Sequence, residues 1–299
     1  MATDDGMVGG VLNGRYKLTA HLRPGQFGDF WRGVRLTDGA PVAIKLLKPE
    51  LFENPTAMAR FSRETRLLAS FSHPNLLRVL EYGRTSTGAP WVVTEPHDGR
   101  LLSDAVAELN LTIGDVCNIG AQIALVLAAT HARGIIHRGL DPEAILLVRN
   151  AQGREVVKLQ DFGLAHLART RGPASTDPAL TKVGERLGRY EYMAPEYIEE
   201  QVLDARTDLY VLGVILFEML AGQPPFVGAP LMVLMKHVSD DPWAPSDLAE
   251  QDVPKWMDDL ILSMLAKDAR DRPQDAASVA RALMERRWPV PGAPRPRGP

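Results

Sequence analysis

The feature that most constrains the fold is a change of pattern near residue 100. Between residues 14 and 97, short β-branched or aromatic runs alternate with Gly, Asp and Pro turn signals such as Asp38-Gly39, which is typical of strands. From about residue 100 the apolar residues recur at helical spacing. A strand-rich part followed by a helix-rich part in one chain predicts an α+β fold.

The first part contains five predicted strands and one predicted helix. Asn54-Pro55 supplies an N-cap and a first helical turn, and the apolar residues that follow fall on one face of this helix. Those apolar residues are Met58, Phe61, Leu67, Leu68 and Phe71. The strands are predicted at residues 15–20, 27–34, 41–47, 76–82 and 91–95.

The second part is expected to contain two long helices, at residues 112–133 and 207–221. Thr112 is followed three places later by Asp115, which resembles a capping box with Asp in the Glu position. Apolar runs at residues 144–148 and 156–159 flank turn residues, which predicts a β-hairpin between the helices.

Composition narrows the classes of function. The 299 residues carry a formal net charge of −3, from 34 basic and 37 acidic side chains. A nucleic-acid binder would show a basic excess, so this class is not expected. Cys117 is the single cysteine, which excludes an internal disulfide and a four-thiolate zinc site. We therefore expect a reducing, cytoplasmic setting.

The two ends of the chain are not expected to join the fold. Residues 1–13 are Asp- and Gly-containing and predict a flexible leader, and the proline-rich residues 288–299 predict an extended linker. No run approaches about 18 uninterrupted apolar residues, so no membrane span is expected in this chain.

Two short features of the first part are consistent with phosphate binding. Gly25 and Gly28 lie between two predicted strands, where glycines let backbone amides approach a phosphate, although a plain tight turn has the same pattern. Lys45 ends an apolar strand 17 residues after Gly28. A buried lysine is costly unless it is paired or bound to an anion, but a lysine at a strand end is also common.

Five later motifs decide between these alternatives. They are His137-Arg138-Gly139, Asp161-Phe162-Gly163, Ala194-Pro195-Glu196, the helix that contains Asp208, and Asp271-Arg272-Pro273. In this order they resemble the protein kinase family, most closely the bacterial serine/threonine kinases of eukaryotic type, over residues 14–287. The resemblance implies a bilobal fold, with a mainly β small lobe and hinge over residues 14–97 and a mainly α large lobe over residues 98–287.

The resemblance also assigns roles to individual residues. Lys45 matches the lysine that binds the α- and β-phosphates of ATP, Glu64 its helix partner, and Asp161 the magnesium ligand. Thr94 matches the gatekeeper, and the backbones of Glu95 and His97 match the adenine-binding hinge. The remaining positions that resemble the nucleotide-binding site are Gly25, Gly28, Phe30, Ala43 and Leu146.

Three further matches concern the scaffold of the large lobe. Glu196 and Arg272 match a buried ion pair of the family. Asp208 matches the helix aspartate that anchors the catalytic loop. The resemblance therefore implies an intact architecture.

The departures from the family lie where the reaction would occur. Gly139 stands in the place of the aspartate that accepts the substrate hydroxyl's proton, and Asp141 in the place of a phosphate-contacting lysine. Ala144 replaces the asparagine that holds the second metal, and Arg189 replaces a threonine that hydrogen-bonds to the lost aspartate and lysine. The reacting positions have changed while the scaffold positions have not.

Each of these losses removes a definite contribution. Glycine has no proton acceptor, and positioned acid–base catalysis is worth roughly 10²- to 10⁴-fold in rate. Alanine cannot ligate Mg²⁺, and an aspartate beside a polyphosphate repels where a lysine would attract. The predicted function is that of a pseudokinase, a binding or allosteric module for a signalling protein such as an active kinase or its substrate. The alternative is a weak or atypical phosphoryl or nucleotidyl transferase that uses Asp161 and Asp141.

Nucleotide binding is a separate expectation. Arg23 replaces the first glycine of the family's loop, and Phe30 replaces a valine that lies over the adenine ring. A phenylalanine at this position can occupy the purine's space. The sequence therefore predicts that ATP with Mg²⁺ binds weakly or not at all, with Asp161 as the metal ligand if Mg-nucleotide binds.

The changes at residues 141 and 189 allow two interpretations. Asp141 and Arg189 can form a salt bridge that closes the empty site. In the other interpretation, Asp141 is a displaced base or an extra metal ligand beside Asp161.

Overall fold

The computed structural model describes residues 7–25, 27–48, 55–85, 88–109, 111–162, 190–199 and 202–289, without the side chains of residues 55–57 and 60. The chain divides into two compact units, and the boundary falls between Asp98 and Gly99. Arg189 and most of the predicted linker lie outside the described residues.

The first unit is built on an antiparallel sheet with strand order β1-β2-β3-β4-β6-β5. The predicted strand at residues 41–47 is found with the same bounds. The fourth predicted strand is displaced, because Leu76 and Leu77 are buried in an irregular segment and the strand begins only at Val79. The strands are β1 Val11–Leu12, β2 Tyr16–Arg23, β3 Gly28–Arg35, β4 Pro41–Leu47, β5 Val79–Arg84 and β6 Pro90–Thr94.

One face of this sheet carries the apolar core of the first unit. Trp31, Ile44 and Val93 are paired across β3, β4 and β6 and are at most 1% exposed. Because side chains alternate along a strand, the neighbouring residues of each strand point to the opposite face. That opposite face carries Phe30 and Lys45, which are also cross-strand partners.

The end of the predicted flexible leader belongs to this sheet. Val11 and Leu12 form β1, which pairs with Lys17 and Tyr16 of β2. Leu12 is 6% exposed and is part of the apolar core. The prediction for residues 1–13 is therefore wrong at its end, because a two-residue strand among glycines leaves no periodic pattern in the sequence.

The helix of the first unit, α1, spans Pro55–Ala69. Met58, Phe61 and Leu68 are buried, as their predicted common face requires. Leu67 is 38% exposed, so its predicted place on that face is wrong, since it precedes Leu68 by only one residue, or about 100°. Phe71 lies beyond the helix end.

The second unit contains a smaller antiparallel sheet and most of the helices. Its sheet has the order β7-β8-β9, and the predicted hairpin is found as β8 and β9. The strands are β7 Arg100–Leu101, β8 Ile145–Arg149 and β9 Glu155–Leu159. The helices are α2 Leu102–Ala107, α3 Ile113–His131, α4 Pro195–Ile198, α5 Ala205–Ala221, α6 Pro230–Ser239, α7 Lys255–Met264 and α8 Ala276–Glu285.

Two long helices form the centre of the second unit. α3 begins at the predicted capping box, in which the Asp115 N–H donates to the Thr112 hydroxyl and the Thr112 N–H to the Asp115 carboxylate. In the described part of the chain, α3 alone is long and apolar enough to cross a membrane, but its apolar residues pack within this unit. α5 begins at Ala205, two residues before its predicted start, because the side chain of Asp204 caps it. Cys117 of α3 is buried.

Candidate functional site

Asp208 of α5 anchors the segment that precedes Gly139. Its carboxylate accepts hydrogen bonds from the backbone N–H groups of His137 at 2.8 Å and Arg138 at 3.0 Å. The ring of His131 lies 2.7 Å from the same carboxylate. Burial alone would raise the pKa of Asp208, but hydrogen bonds from His131 and His137 hold it below its usual range. The predicted anchoring role of Asp208 is therefore confirmed by its contacts.

The side chain of His137 joins this segment to the residues around Asp161. Its Nε2–H donates to the carbonyl oxygen of Gln160 at 2.8 Å, and its ring centroid lies 4.3 Å from that of Phe162. His137 is fully buried, and burial lowers its pKa, so the ring is held in the neutral form.

A second scaffold contact is the ion pair between Glu196 and Arg272. The guanidinium donates two hydrogen bonds of 2.8 Å to the two carboxylate oxygens, and Arg272 is fully buried. Burial would raise the pKa of Glu196, but the hydrogen bonds from Arg272 lower it below its usual value. The predicted buried pair is confirmed, and its bidentate geometry is the strongest form of this contact.

Asp141 is bonded to the backbone of its own segment. Its Oδ1 accepts a hydrogen bond of 2.8 Å from the N–H of Ala144, and Asp141 is 8% exposed. Pro142 follows as the first residue of the short 3-10 helix Pro142–Ala144, which Asp141 caps. This capping role of Asp141 is not among the sequence predictions, although an Asp immediately before a Pro is a known N-cap signal.

The two other altered positions in this segment carry no reactive group. Gly139 is half-buried and has no side chain. Ala144 is buried, and its carbonyl oxygen accepts a hydrogen bond from the N–H of Gln160. The predicted contact of Asp141 with Arg189 involves a residue outside the described part of the chain and stays a prediction.

Asp161 and Leu146 also lie in the second unit. Asp161 is half-buried and adopts a left-handed backbone with φ +66°. Asp is one of the few residues that tolerates this region, although such a conformation is uncommon. Leu146 is buried on β8, where it pairs with Leu101 of β7.

In the first unit, Lys45 lies beside two aromatic rings. Its Nζ is 4.5 Å from the ring centroid of Phe30 and 5.6 Å from that of Phe27. The guanidinium carbon of Arg23 lies 4.0 Å from the Phe30 centroid. The sequence motifs identify Phe30, Lys45 and Arg23 separately and give no sign that the three side chains meet.

At Gly25 and Gly28 a Cβ atom would collide with neighbouring residues, and their predicted approach to a phosphate stays a prediction. A Cβ on Gly28 would lie 2.1 Å from the carbonyl oxygen of Leu46, which no side chain can accept. A Cβ on Gly25 would lie 2.6 Å from an edge carbon of the Phe30 ring. The space beneath Gly25 is therefore filled by Phe30.

The other predicted nucleotide-site residues of this unit lie on β4, on β6, just after β6, and on α1. Ala43 and Thr94 are cross-strand partners on β4 and β6. The N–H of Glu95 donates to the carbonyl oxygen of Arg78 at 3.0 Å. Burial, and then the positive charge of Arg23, lower the pKa of His97. Glu64 is half-buried on α1, and its predicted pairing with Lys45 stays a prediction.

In each unit, one altered position departs from what the family resemblance would place against Mg-ATP. Ala144 offers no metal ligand, and the Phe30 ring occupies the space beneath Gly25. Among the residues described, no group of three His, Cys, Asp or Glu side chains is placed to hold a metal ion.

The ordered motifs, the Asp208 anchor and the Glu196–Arg272 pair agree with the comparison of the chain with known families. Residues 16–288 match the family described as protein kinase domain. The chain therefore belongs to the protein kinase family, as its sequence motifs predicted.

Particular relatives are bacterial serine/threonine kinases. The chain is 35% identical over 276 residues to serine/threonine-protein kinase pkn2 of Myxococcus xanthus, covering 91% of this chain and 32% of that protein. It is 32% identical over 278 residues to serine/threonine-protein kinase PknB of Mycobacterium tuberculosis, covering 91% of this chain and 43% of that protein. The chain thus spans less than half the length of these two relatives.

A solved structure supports the fold. The PknI kinase domain of Mycobacterium tuberculosis superimposes with a TM-score of 0.71 and 24% sequence identity, over 93% of this chain and 98% of that domain. The protein kinase fold is therefore confirmed, with a β-sheet lobe and a helical lobe.

Proposed function

We propose that this protein is a pseudokinase: a protein kinase domain that no longer transfers phosphate and acts as a binding or allosteric module in signalling. The observation that carries the proposal is the segment from Gly139 to Ala144. Its scaffold contacts are retained, while its altered positions carry no proton acceptor at residue 139 and no metal ligand at residue 144.

The position of Asp141 supports the pseudokinase function over the alternative in which Asp141 is a displaced general base. One of its carboxylate oxygens already accepts the Ala144 N–H at 2.8 Å. A general base has to be within hydrogen-bond reach of the proton that it removes. The Asp141 carboxylate caps the 3-10 helix that follows it, which is a structural role. Its negative charge also repels a polyphosphate.

The retained scaffold supports a binding role. Arg272 and Asp208 are buried charged residues whose partners are all in place. Such contacts preserve a shape, and a preserved shape without a reacting group suits a module that a partner recognises. We propose that the partner is a signalling protein, either an active kinase or the substrate of one, and that the protein works in the cytoplasm.

A second candidate function rests on the relatives, which are named serine/threonine kinases. In this alternative the chain slowly transfers a phosphoryl or adenylyl group from ATP, with Asp161 as the metal ligand and Asp141 as the base. Transfer of the γ-phosphoryl group to a hydroxyl would release ADP, and transfer of the adenylyl group would release pyrophosphate. The two reactions are distinguished by the position of the label in ATP.

The proposal is tested by incubating the protein with γ- or α-labelled ATP, Mg²⁺ or Mn²⁺, and generic protein acceptors. We expect no label on the acceptors or on the protein itself. Asp161→Ala is the diagnostic variant, and Asp98→Ala is its matched control, because the Asp98 carboxylate is 91% exposed. Label transfer that survives Asp98→Ala and disappears in Asp161→Ala would establish the enzyme.

A second test addresses the signalling role in the source cell. A gene deletion is complemented with the wild-type chain or with Asp161→Ala. A pseudokinase predicts equal complementation, because binding and not chemistry is needed. Complementation by the wild type alone contradicts the proposal.

A further inference from the structure

Three side chains form a row across the sheet of the first unit. Arg23 of β2 is the cross-strand partner of Phe30 of β3, and Phe30 is in turn the partner of Lys45 of β4. Directly opposed residues of antiparallel strands project from the same face of a sheet, with Cβ atoms about 4.5–5.5 Å apart. We call these three residues the cation–ring–cation row.

The charged groups of the row are both within cation–π distance of the ring. The Arg23 Cζ atom lies 4.0 Å and the Lys45 Nζ atom 4.5 Å from the Phe30 centroid. Such contacts are attractive within about 6 Å, and they strengthen when water is excluded. Phe30 is 8% exposed and Lys45 is 7% exposed, so water is excluded from the lysine contact, whereas Arg23 is half-buried. Phe30, on the middle strand, therefore attracts one cation from each flanking strand.

The glycine turn closes over the same ring. The Cβ of a residue larger than glycine at position 25 would lie 2.6 Å from Phe30, which places the turn in van der Waals contact with the ring. Phe27 is also buried, at 6% exposed, and its ring centroid lies 5.6 Å from the Lys45 Nζ. The ring therefore takes up the volume bounded by the turn and the two cations.

We infer that Phe30 is an internal occupant of a polyphosphate-binding site whose cationic groups are Arg23 and Lys45, and that this occupancy keeps the site closed. Without the ring, a guanidinium and an ammonium would face one cavity beneath Gly25, and phosphate oxygens are the chemistry that suits such a pair. This inference rests on the proposed function, since it gives the reason for weak or absent ATP binding. It also adds Arg23 as a positioning and binding residue.

The inference is tested by calorimetric titration with sodium tripolyphosphate and, separately, with Mg-ATP. We expect Phe30→Val to bind tripolyphosphate at least 10-fold more tightly than the wild type does. Adding Arg23→Gln or Lys45→Met to Phe30→Val is expected to remove this gain. Phe61→Val is the matched control, since it is the same change at a residue 5% exposed on α1, and it should gain nothing.

The two ligands separate the phosphate chemistry from the nucleoside. Equal gains for tripolyphosphate and Mg-ATP support a site for phosphates alone, and a larger gain for Mg-ATP supports a site that also takes the base. A folded Phe30→Val protein that binds both ligands no better than wild type overturns the inference. So does a gain that survives both Arg23→Gln and Lys45→Met.

A measurement on the wild type covers the case in which Phe30→Val does not fold. The ¹³C–¹H resonance of the Lys45 ε-methylene, assigned with Lys45→Met, should be shifted upfield by the ring and should stay there in a large molar excess of tripolyphosphate. A Lys45 resonance at the ordinary lysine position overturns the inference. Neither the titration nor the Lys45 resonance depends on label transfer. If both measurements contradict the inference, the proposed loss of catalysis still stands. If the wild type transfers label, the proposed function fails, and the titration and the resonance still test the role of Phe30.

Discussion

Asp141 accepts a hydrogen bond of 2.8 Å from the backbone N–H of Ala144. Two of the positions that depart from the family's catalytic residues are therefore hydrogen-bonded to each other. In the family that this sequence resembles, these positions carry a lysine and an asparagine that serve the reaction. Here the carboxylate caps a 3-10 helix, which is a structural use of the position.

The cap predicts a difference between two substitutions of Asp141. Asp141→Ala removes the acceptor for the Ala144 N–H and should lower the free energy of unfolding by about 1 kcal/mol. Asp141→Asn keeps an oxygen that can accept the same bond and should cost only a few tenths of that amount. Urea denaturation monitored by circular dichroism checks both values. Equal losses in the two variants would show that the charge, and not the cap, matters.

The predicted salt bridge between Asp141 and Arg189 is tested by a double-mutant cycle. Asp141→Asn removes the charge and keeps the cap, and Arg189→Ala removes the other partner. A salt bridge predicts a coupling free energy of about 0.5–3 kcal/mol in urea denaturation. Additive effects of the two substitutions would exclude it.

The Glu196–Arg272 pair predicts a large loss of stability. Glu196→Ala leaves the fully buried Arg272 guanidinium without its carboxylate and should cost about 3–5 kcal/mol. The control is Asp259→Ala, which breaks an exposed pair with Lys255, whose side chain is 86% exposed, and should cost less than about 0.5 kcal/mol. Denaturation midpoints of the two variants are compared. Similar losses of stability in the two variants would contradict the claim that the buried ion pair contributes more than the exposed one.

The same pair predicts a pH dependence. The folded-state pKa of Glu196 is below its ordinary value, so its contribution is complete above the unfolded pKa, near 4.3, and is lost as the pH falls through the folded value. Glu196→Gln should therefore show a flatter loss of stability than the wild type below about pH 4. Acid titration of the urea midpoint tests this, and parallel curves for the two proteins would contradict it.

His237 predicts a pH dependence of the second unit nearer to neutrality. Its Nε2–H donates to the Glu191 carbonyl oxygen at 3.0 Å, so its Nδ1 accepts the Tyr210 hydroxyl at 2.8 Å, and the bonded ring is neutral. Burial, then the charge of Lys267, lower the His237 pKa to about 4. The folded state therefore binds fewer protons than the unfolded state between about pH 6.5 and 4, and stability falls as the pH is lowered through that window.

The expected size of this effect is about 2 kcal/mol between pH 7 and pH 5. His237→Gln should remove that part of the decrease, because glutamine does not titrate. The urea midpoint of each protein is measured at both pH values. An unchanged decrease in His237→Gln would show that other groups cause it.

The sequence predicts this fold well where one short signal controls the local structure. Pro41–Leu47 is a strand with the predicted bounds, and the Thr112–Asp115 capping box begins α3. Prediction fails where the signal depends on distant packing. The apolar character of Leu76 and Leu77 predicts a strand, yet both residues are buried in an irregular segment of the first unit.

The candidate site divides in the same way. The motifs identify Asp208, Glu196 and Arg272, because the family resemblance fixes each residue by its position in a motif. The cation–ring–cation row could not be predicted, because it depends on the strand register, and a bulge between His21 and Arg23 shifts that register. The sequence shows Arg23 and Phe30 as departures, but only the sheet shows that they are neighbours.

The central claim is that the domain has lost phosphoryl transfer, and single-turnover transfer from γ-labelled ATP tests it most directly. Wild-type protein and Asp161→Ala are each incubated in large molar excess over γ-labelled ATP with Mg²⁺, and labelled protein is measured over time. We predict two identical time courses at the level of a protein-free control. Labelled protein that forms with the wild type and not with Asp161→Ala would contradict the claim.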